Sequence, residues 1–335
     1  MSFNTTEDEE QKRLMQKIAR VLDETRVSFA THNRKLKDLS ALRASSPLKF
    51  FASFFKTLTP LFNFQRRNAS AERIVRFVAI FTCARDSNNA SVCDAFLEEF
   101  LRFLLVAAMA ANKTARFRAC QIISEIIVRL PDETEVSNEL WDEVIECMTL
   151  RVGDKIPVIR TFAVRALSRF ANDLENSDIL ELFLQTLSLE QNADVRKTIV
   201  LSLPPSNATS AAIIDCTLDV SESVRKTAYF VLASKFPLQS LSIKLRAIIL
   251  QRGLADRSAA VTNECLRLMK DKWLVKCCNG DPIELLKFLD VETYELVGES
   301  VMGALLKAGQ VELQDGQSIR QYLVLTSDKK EGWYS

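Results

Sequence analysis

The residues of this chain best equipped for chemistry are cations in clusters. Arg66 and Arg67 stand together ahead of Asn68 and Ser70, and Lys113, Arg116 and Arg118 follow further along. Guanidinium and ammonium groups at such spacing neutralise phosphates, and the backbone N–H groups of a helix start add to the attraction. Contacts of this kind read a phosphate backbone and not a base sequence, and no segment offers a recognition helix for base edges. The expected site is therefore Arg66, Arg67, Lys113, Arg116 and Arg118. For Arg118 a second role competes, an internal ion pair between repeats.

Other chemistry has little to run on. His32 is the one histidine, and among Asn33, Arg34, Lys35 and Lys37 it is expected to be solvated at the surface. There is no Walker loop, GxGxxG, HExxH or paired-acid motif. The 8 cysteines contain no CxxC. The adjacent Cys277 and Cys278 are the zinc alternative, without a second pair nearby. The cysteines are expected to be reduced core residues of an intracellular protein. No enzyme activity, cofactor, metal or small-molecule ligand is expected.

The elements that position the cations follow from a repeat. Five segments carry a turn residue, an apolar residue five positions on, and then usually Arg: Asn112–Phe117–Arg118, Asp154–Ile159–Arg160, Glu190–Val195–Arg196, Asp219–Val224–Arg225 and Asp256–Val261–Thr262. Ten positions after the turn residue an apolar residue recurs: Ile122, Val164, Val200, Tyr229 and Leu266. The starts are 42, 36, 29 and 37 residues apart, the period of a two-helix repeat array. The turn carboxylate or amide can accept orphan N–H groups of the second helix. The arginine can reach the Asp of an adjacent repeat and build a ladder. This is the HEAT pattern, so the predicted fold is all-α, an α-solenoid of stacked antiparallel helix pairs. Thr262 interrupts the ladder, and Asp290–Leu296 is one residue out of register.

Composition agrees: 47% hydrophobic residues supply a large core, and Gly and Pro number only 8 each, which favours helix. The longest apolar run, 103–111, is too short for a bilayer, and the acidic start 1–10 is no secretory signal. The spacing of Leu14, Ile18, Val21 and Leu22 predicts one long or two short helices over 10–43. Thirteen further helices are expected between 71 and 308, with starts near Ser91, Asn138, Ser177 and Ser221 and stops at Pro131, Pro204–Pro205 and Pro237. Phe50, Phe51, Phe54, Phe55, Phe62 and Phe64 are expected to be core, with a base-stacking platform the lesser alternative. The domain boundaries expected are 1–46, a helical segment; 47–308, the HEAT array; and 309–335, an irregular tail.

Charge is uneven. Residues 1–130 hold 21 Lys/Arg against 13 Asp/Glu, whereas 131–335 hold 23 against 30. Seven acidic and no basic residues fall in 131–150. That stretch is a solvated helix start or a docking face for a basic partner. The basic first third is the candidate for a polyanion.

Residues between the template positions carry a resemblance. ERIVRFVAIF (72–81), RFRACQIISEII (116–127), DKIPVIRTFAVRALSRF (154–170), VRKTAYFVLASKF (224–236), SIKLRAIILQRGLADRSAAV (242–261) followed by Trp273–Leu274, and ELLKFLDVE (284–292) together resemble the condensin complex subunit 3 (CAP-G) family. The resemblance covers about residues 45–308 and implies a non-catalytic regulatory HEAT subunit. Its implied partners are the kleisin CAP-H, the SMC ATPases and double-stranded DNA, with no membrane. The implied setting is mitotic chromosome condensation in the nucleus and on chromosomes, with a cytoplasmic pool. Arg66 with Arg67, and Lys113 with Arg116, fall on the family's basic positions. Family members are far longer, so the resemblance is to an N-terminal portion, and the sequence reads as a truncated form or an incomplete gene model. A competing reading is a protein-interaction scaffold of the transport-receptor or phosphatase-scaffold type, without DNA.

Overall fold

Paired helices build this chain, and at three places an arginine ties the second helix of one pair to the turn before the next second helix. The computed structural model describes residues 3–64, 67–84, 95–132, 134, 136–172 and 177–310. It contains sixteen α-helices and no strand among those residues, a HEAT-type α-solenoid. The chain forms two compact units, 1–179 and 180–335.

The first unit contains α1 (Phe3–Thr25), α2 (His32–Ser45), α3 (Pro47–Leu58), α4 (Ala69–Cys83), α5 (Ala95–Ala108), α6 (Lys113–Ile127), α7 (Asn138–Val152) and α8 (Pro157–Leu167). Helices α5–α6 and α7–α8 form pairs; α4, α6 and α8 pack side by side in one layer, and α5 lies on α7 in the other. Pro47 opens α3, where its missing N–H costs nothing. Ring packing closes the start of this unit. Phe54 lies 5.4 Å from Phe96 and 5.7 Å from Phe100, and Phe81 5.3 Å from Phe96, centroid to centroid. Phe50, Phe54, Phe81, Phe96 and Phe100 are buried, so these rings are core and not a stacking platform. Phe64, by contrast, is exposed.

After α9 (Ser177–Leu189), the second unit holds α10 (Ala193–Ser202), α11 (Asn207–Asp215), α12 (Glu222–Lys235), α13 (Ile243–Leu254), α14 (Ala259–Arg267), α15 (Pro282–Leu289) and α16 (Glu295–Lys307). Here α10, α12 and α14 form the layer, with α11 on α12 and α13 on α14. A π-helical stretch, Leu268–Cys277, continues α14. Gly253 permits the close approach of α13, because a Cβ there would meet Cys265 Sγ at 2.4 Å and the Tyr229 ring at 2.8 Å.

The helix starts differ in detail from expectation. Asn68, Asn112, Asn192, Ser206, Ser242 and Asp281 cap helices through their side chains. Ser221 is an N-cap without such a bond, and Asn138 is the first residue inside its helix. Ser91 lies outside the described residues.

The ladder exists, and its register is now fixed. In four copies the turn carboxylate sits two residues before the N-cap and accepts the N-cap's own N–H: Asp154 from Ile156, Glu190 from Asn192, Asp219 from Ser221 and Asp256 from Ser258, at 2.7–2.9 Å. Four residues after the N-cap, the arginine donates back to its own turn carbonyl, as Arg160 does to Asp154 O and Arg225 to Asp219 O. Arg196 and Arg225 also span to the next repeat's carboxylate. Arg196 grips Asp219 at 2.7 Å through both Nε and Nη2, and Arg225 grips Asp256 at 2.7 and 3.0 Å. These are forked, charge-assisted pairs. By this register the first copy starts at Ala110, not Asn112, and its ladder residue is Arg116, not Arg118.

The fifth copy is where the pattern loosens. Thr262 only returns a hydrogen bond to Asp256 O. Ile122, Val164, Val200 and Tyr229 are fully buried, but Leu266 is half-exposed and lines an open groove with Leu254, Leu296 and Val297. Helix α16 packs on α13, after Asp290 leaves α15 in a left-handed conformation (φ 50°).

Removing one member of a rung strands its partner. Arg225→Ala is expected to lower the unfolding free energy by about 3 kcal/mol, read by chemical denaturation. The Arg225 hydrogen bond holds the Asp256 carboxyl below its ordinary value of 3.8, against burial that raises it. Its contribution is complete above that value and lost as pH falls through the lowered one. Stability therefore drops below about pH 4, and Asp256→Asn is expected to flatten that part of the profile.

Candidate nucleic-acid interface

In the first unit the N-terminal ends of α4, α6 and α8 share one edge of their layer, about 10 Å apart from helix to helix. Each end carries the positive pole of its helix and backbone N–H groups beyond those its cap satisfies. The sequence placed its cations around two of these turns.

The structure sorts them into two kinds. Lys113 is exposed at the first position of α6, after the cap Asn112. Arg67 is exposed in the turn before the cap Asn68, with a left-handed backbone (φ 68°). Neither has a carboxylate partner among the described residues. Arg66 lies outside the described residues.

Two of the expected contacts are corrected. Arg118 is fully buried. Its Nε donates to Phe64 O at 3.0 Å, and its Nη1 to Glu72 and Gln121, each at 2.7 Å. Its guanidinium lies 4.8 Å from the centre of the Phe117 ring. It holds the approach to α4 against α6 and presents nothing to a phosphate. Arg116 is the ladder residue: Nε donates to Asp154 at 2.9 Å, and Nη1 to Ala110 O and Ala111 O. Its side chain is 16% exposed and that of Asp154 2%, so its charge is neutralised inside the edge.

One cation was missed. Lys155 is exposed between Asp154 and the cap Ile156 of α8, the same position relative to its helix as Arg67 has to α4. Its signal is in the sequence, since Lys155 directly follows a turn aspartate, but the arginine template does not include that position.

The opposite edge contrasts with this one. There Arg169 donates to Ile127 O and Pro131 O, and Arg165 pairs with Glu125, which also takes Arg129. These arginines cap helix C-termini and are spent. Lys235 does the same in the second unit, donating to Leu201 O and Leu203 O, and burial lowers its pKa.

Other candidates resolve as structure. His32 is buried, not solvated; Nε2 pairs with Thr25 O at 3.2 Å, and the ring meets Phe29 and Phe77 edge-on. Burial pushes the thiols of Cys83, Cys216 and Cys265 up to about 12 and that of Cys278 to about 11, so they are poor thiolates at neutral pH. No group of three metal-ligating side chains occurs among the described residues. In the acidic stretch, Asp132 pairs with Arg169, while Asp142 and Glu146 are exposed on α7.

A helical-repeat protein of HEAT type, with one basic turn edge, is the class these features define. No protein-family model matches the chain. Condensin complex subunit 3 of Xenopus laevis is 32% identical over 300 residues, covering 85% of this chain and 29% of the relative. The Homo sapiens protein of that name is 29% identical over 297 residues, with the same coverage. A solved structure, the S. pombe condensin Cnd3–Cnd2 subcomplex, matches with a TM-score of 0.79 at 25% identity, over 89% of this chain and 39% of that one. Across that span the chain is a homologue of condensin complex subunit 3. It spans about 29% of the length of the curated relatives it matches.

The division of the arginines predicts opposite mutational outcomes. Arg118→Ala leaves Glu72, Gln121 and Phe64 O short of a donor and is expected to cost about 3 kcal/mol. Lys113→Ala is expected to change stability by less than about 0.5 kcal/mol. Denaturant unfolding of the two variants checks both.

Proposed function

We propose that this chain is a non-catalytic regulatory HEAT subunit of a condensin complex, contacting duplex DNA through the turn edge of α4, α6 and α8. The observation that carries the DNA contact is the sorting of cations. The opposite edge spends its arginines on carbonyls and Glu125, while Arg67, Lys113 and Lys155 remain exposed beside three helix N-termini. The excess of 21 Lys/Arg over 13 Asp/Glu in residues 1–130 supports it. Affinity would come from neutralised phosphates and released counterions, without base readout.

The homology and the likeness to the Cnd3–Cnd2 subcomplex support a kleisin partner and a nuclear, chromosomal setting; SMC ATPases in the assembled complex, a mitotic role and a cytoplasmic pool are further parts of the proposal. A protein partner on the same edge is favoured by Met109 and Leu150, each 52% exposed at the ends of α5 and α7. Phosphates alone give no reason for apolar side chains there. This is the scaffold reading in a narrower form, with a kleisin segment in place of transport or phosphatase partners.

Titration of a DNA duplex against the chain at several salt concentrations tests the DNA contact. Three phosphate contacts give a log–log salt slope of about −3. Arg67→Glu/Lys113→Glu is expected to weaken binding and reduce that slope by about 2. A flat slope, or a variant that binds like the parent, contradicts the assignment.

A further inference from the structure

Phe29 and two arginines of α4 form a surface arrangement that the turn edge does not include. Phe29 lies in the single 3-10 turn joining α1 to α2, and its ring is half exposed. The ring is anchored from inside. Its edge meets the buried His32 at 5.3 Å, and His32 in turn meets Phe77 of α4 at 5.3 Å. The ring thus rests on a buried side chain that is itself packed against α4.

The guanidinium groups of Arg76 and Arg73 lie over this ring, 5.0 and 5.8 Å from its centre. Both sit on one face of α4, three residues apart. Arg73 is also tied by a 2.9 Å hydrogen bond from Nη1 to Arg26 O. Neither faces a carboxylate within ion-pair distance among the described residues. Their neighbours differ: Arg26 pairs with Asp23 at 3.0 Å, and Lys35 with Glu24 and Asp38 at 2.6 and 2.9 Å. Two cations are thus held close together on an aromatic face and left without an anion. Their side chains are already ordered, so a ligand that binds them forfeits little rotamer freedom.

We propose that Arg73 and Arg76, positioned by Phe29, form a second phosphate-binding site that continues the turn edge along α4. The inference rests on the duplex-binding reading. It favours a phosphate backbone over an acidic peptide because Arg67 lies in the turn that leads into the same helix. Arg73 and Arg76 lie about 6 and about 10 Å of helix rise beyond the start of α4 at Ala69, and Arg67 precedes that start by one turn residue and the cap. Several successive phosphates of one strand fall within that length, at about 3.4 Å of axial rise each.

Duplex titration of the full chain at several salt concentrations, with three variants of verified helicity, tests it. Arg73→Glu/Arg76→Glu is expected to weaken binding at least tenfold and reduce the salt slope by about 2. Phe29→Ala keeps every charge; it is expected to weaken binding about threefold with the slope unchanged, because it releases the arginines without removing them. If Arg73→Glu/Arg76→Glu binds like the parent while Arg67→Glu/Lys113→Glu does not, this second site is overturned and the turn edge stands. If neither double variant loses affinity, the duplex reading itself fails. Parent-like binding by Phe29→Ala overturns the positioning role, and unchanged duplex affinity with lost binding of a partner protein reassigns the pair to protein contact.

Discussion

An arginine that must satisfy two repeats at once constrains everything else in this chain. Arg116, Arg196 and Arg225 each donate to a carbonyl of their own turn and to the carboxylate of the next. A buried guanidinium tolerates no slippage, since a shift of one residue would leave both it and the aspartate unpaired in a low-dielectric interior. The carboxylate is doubly committed, because it also accepts the N–H of its own N-cap. The ladder therefore fixes where each second helix begins, and with it the depth to which the apolar layer interlocks. Where Thr262 takes the arginine's place the rule lapses. There Leu266 is uncovered and α16 settles on α13.

That constraint also decides which charges are available. A solenoid needs cations at its turns for internal reasons, so counting Lys and Arg overstates the charge offered to a ligand. Arg116 and Arg118 show this from opposite sides of the same turn. One closes a rung, the other threads beneath Phe64 to Glu72 and Gln121. Among those left outside are Arg67, Lys113, Lys155 and the pair on Phe29. Their common property is having no anion of their own. The homology to condensin complex subunit 3 gives that remainder a context, and the physical case for phosphate contact is independent of it.

Helix existence and repeat period were legible because apolar spacing and turn chemistry are local. Pro47, Pro131 and Pro204 stop or start helices as their geometry demands. The register of the first copy was not legible. Asn112 resembles the turn aspartates in type, but it is the N-cap itself, two residues later, and only the partner of Arg116 reveals this. His32 misled for a related reason: its sequence neighbours are cationic and solvated, while its own direction of travel on α2 is inward, toward Thr25 and Phe77. Arg118 was readable only as a choice between two roles. Burial depends on what a distant segment, here the carbonyl of Phe64, brings to it, and spacing carries no trace of that. Lys155 was legible in principle, standing beside a turn aspartate as Arg67 stands beside Asn68.

The central claim is that cations left over by the ladder, and not those inside it, meet the polyanion. Hydrogen exchange of the full chain with and without duplex DNA tests it most directly. Slowed exchange is expected at the helix starts 69–71, 113–115 and 158–159, with no change at 127–130 on the opposite edge. Protection confined to that opposite edge or to the ladder turns of the second unit, or no protection at all, would contradict it.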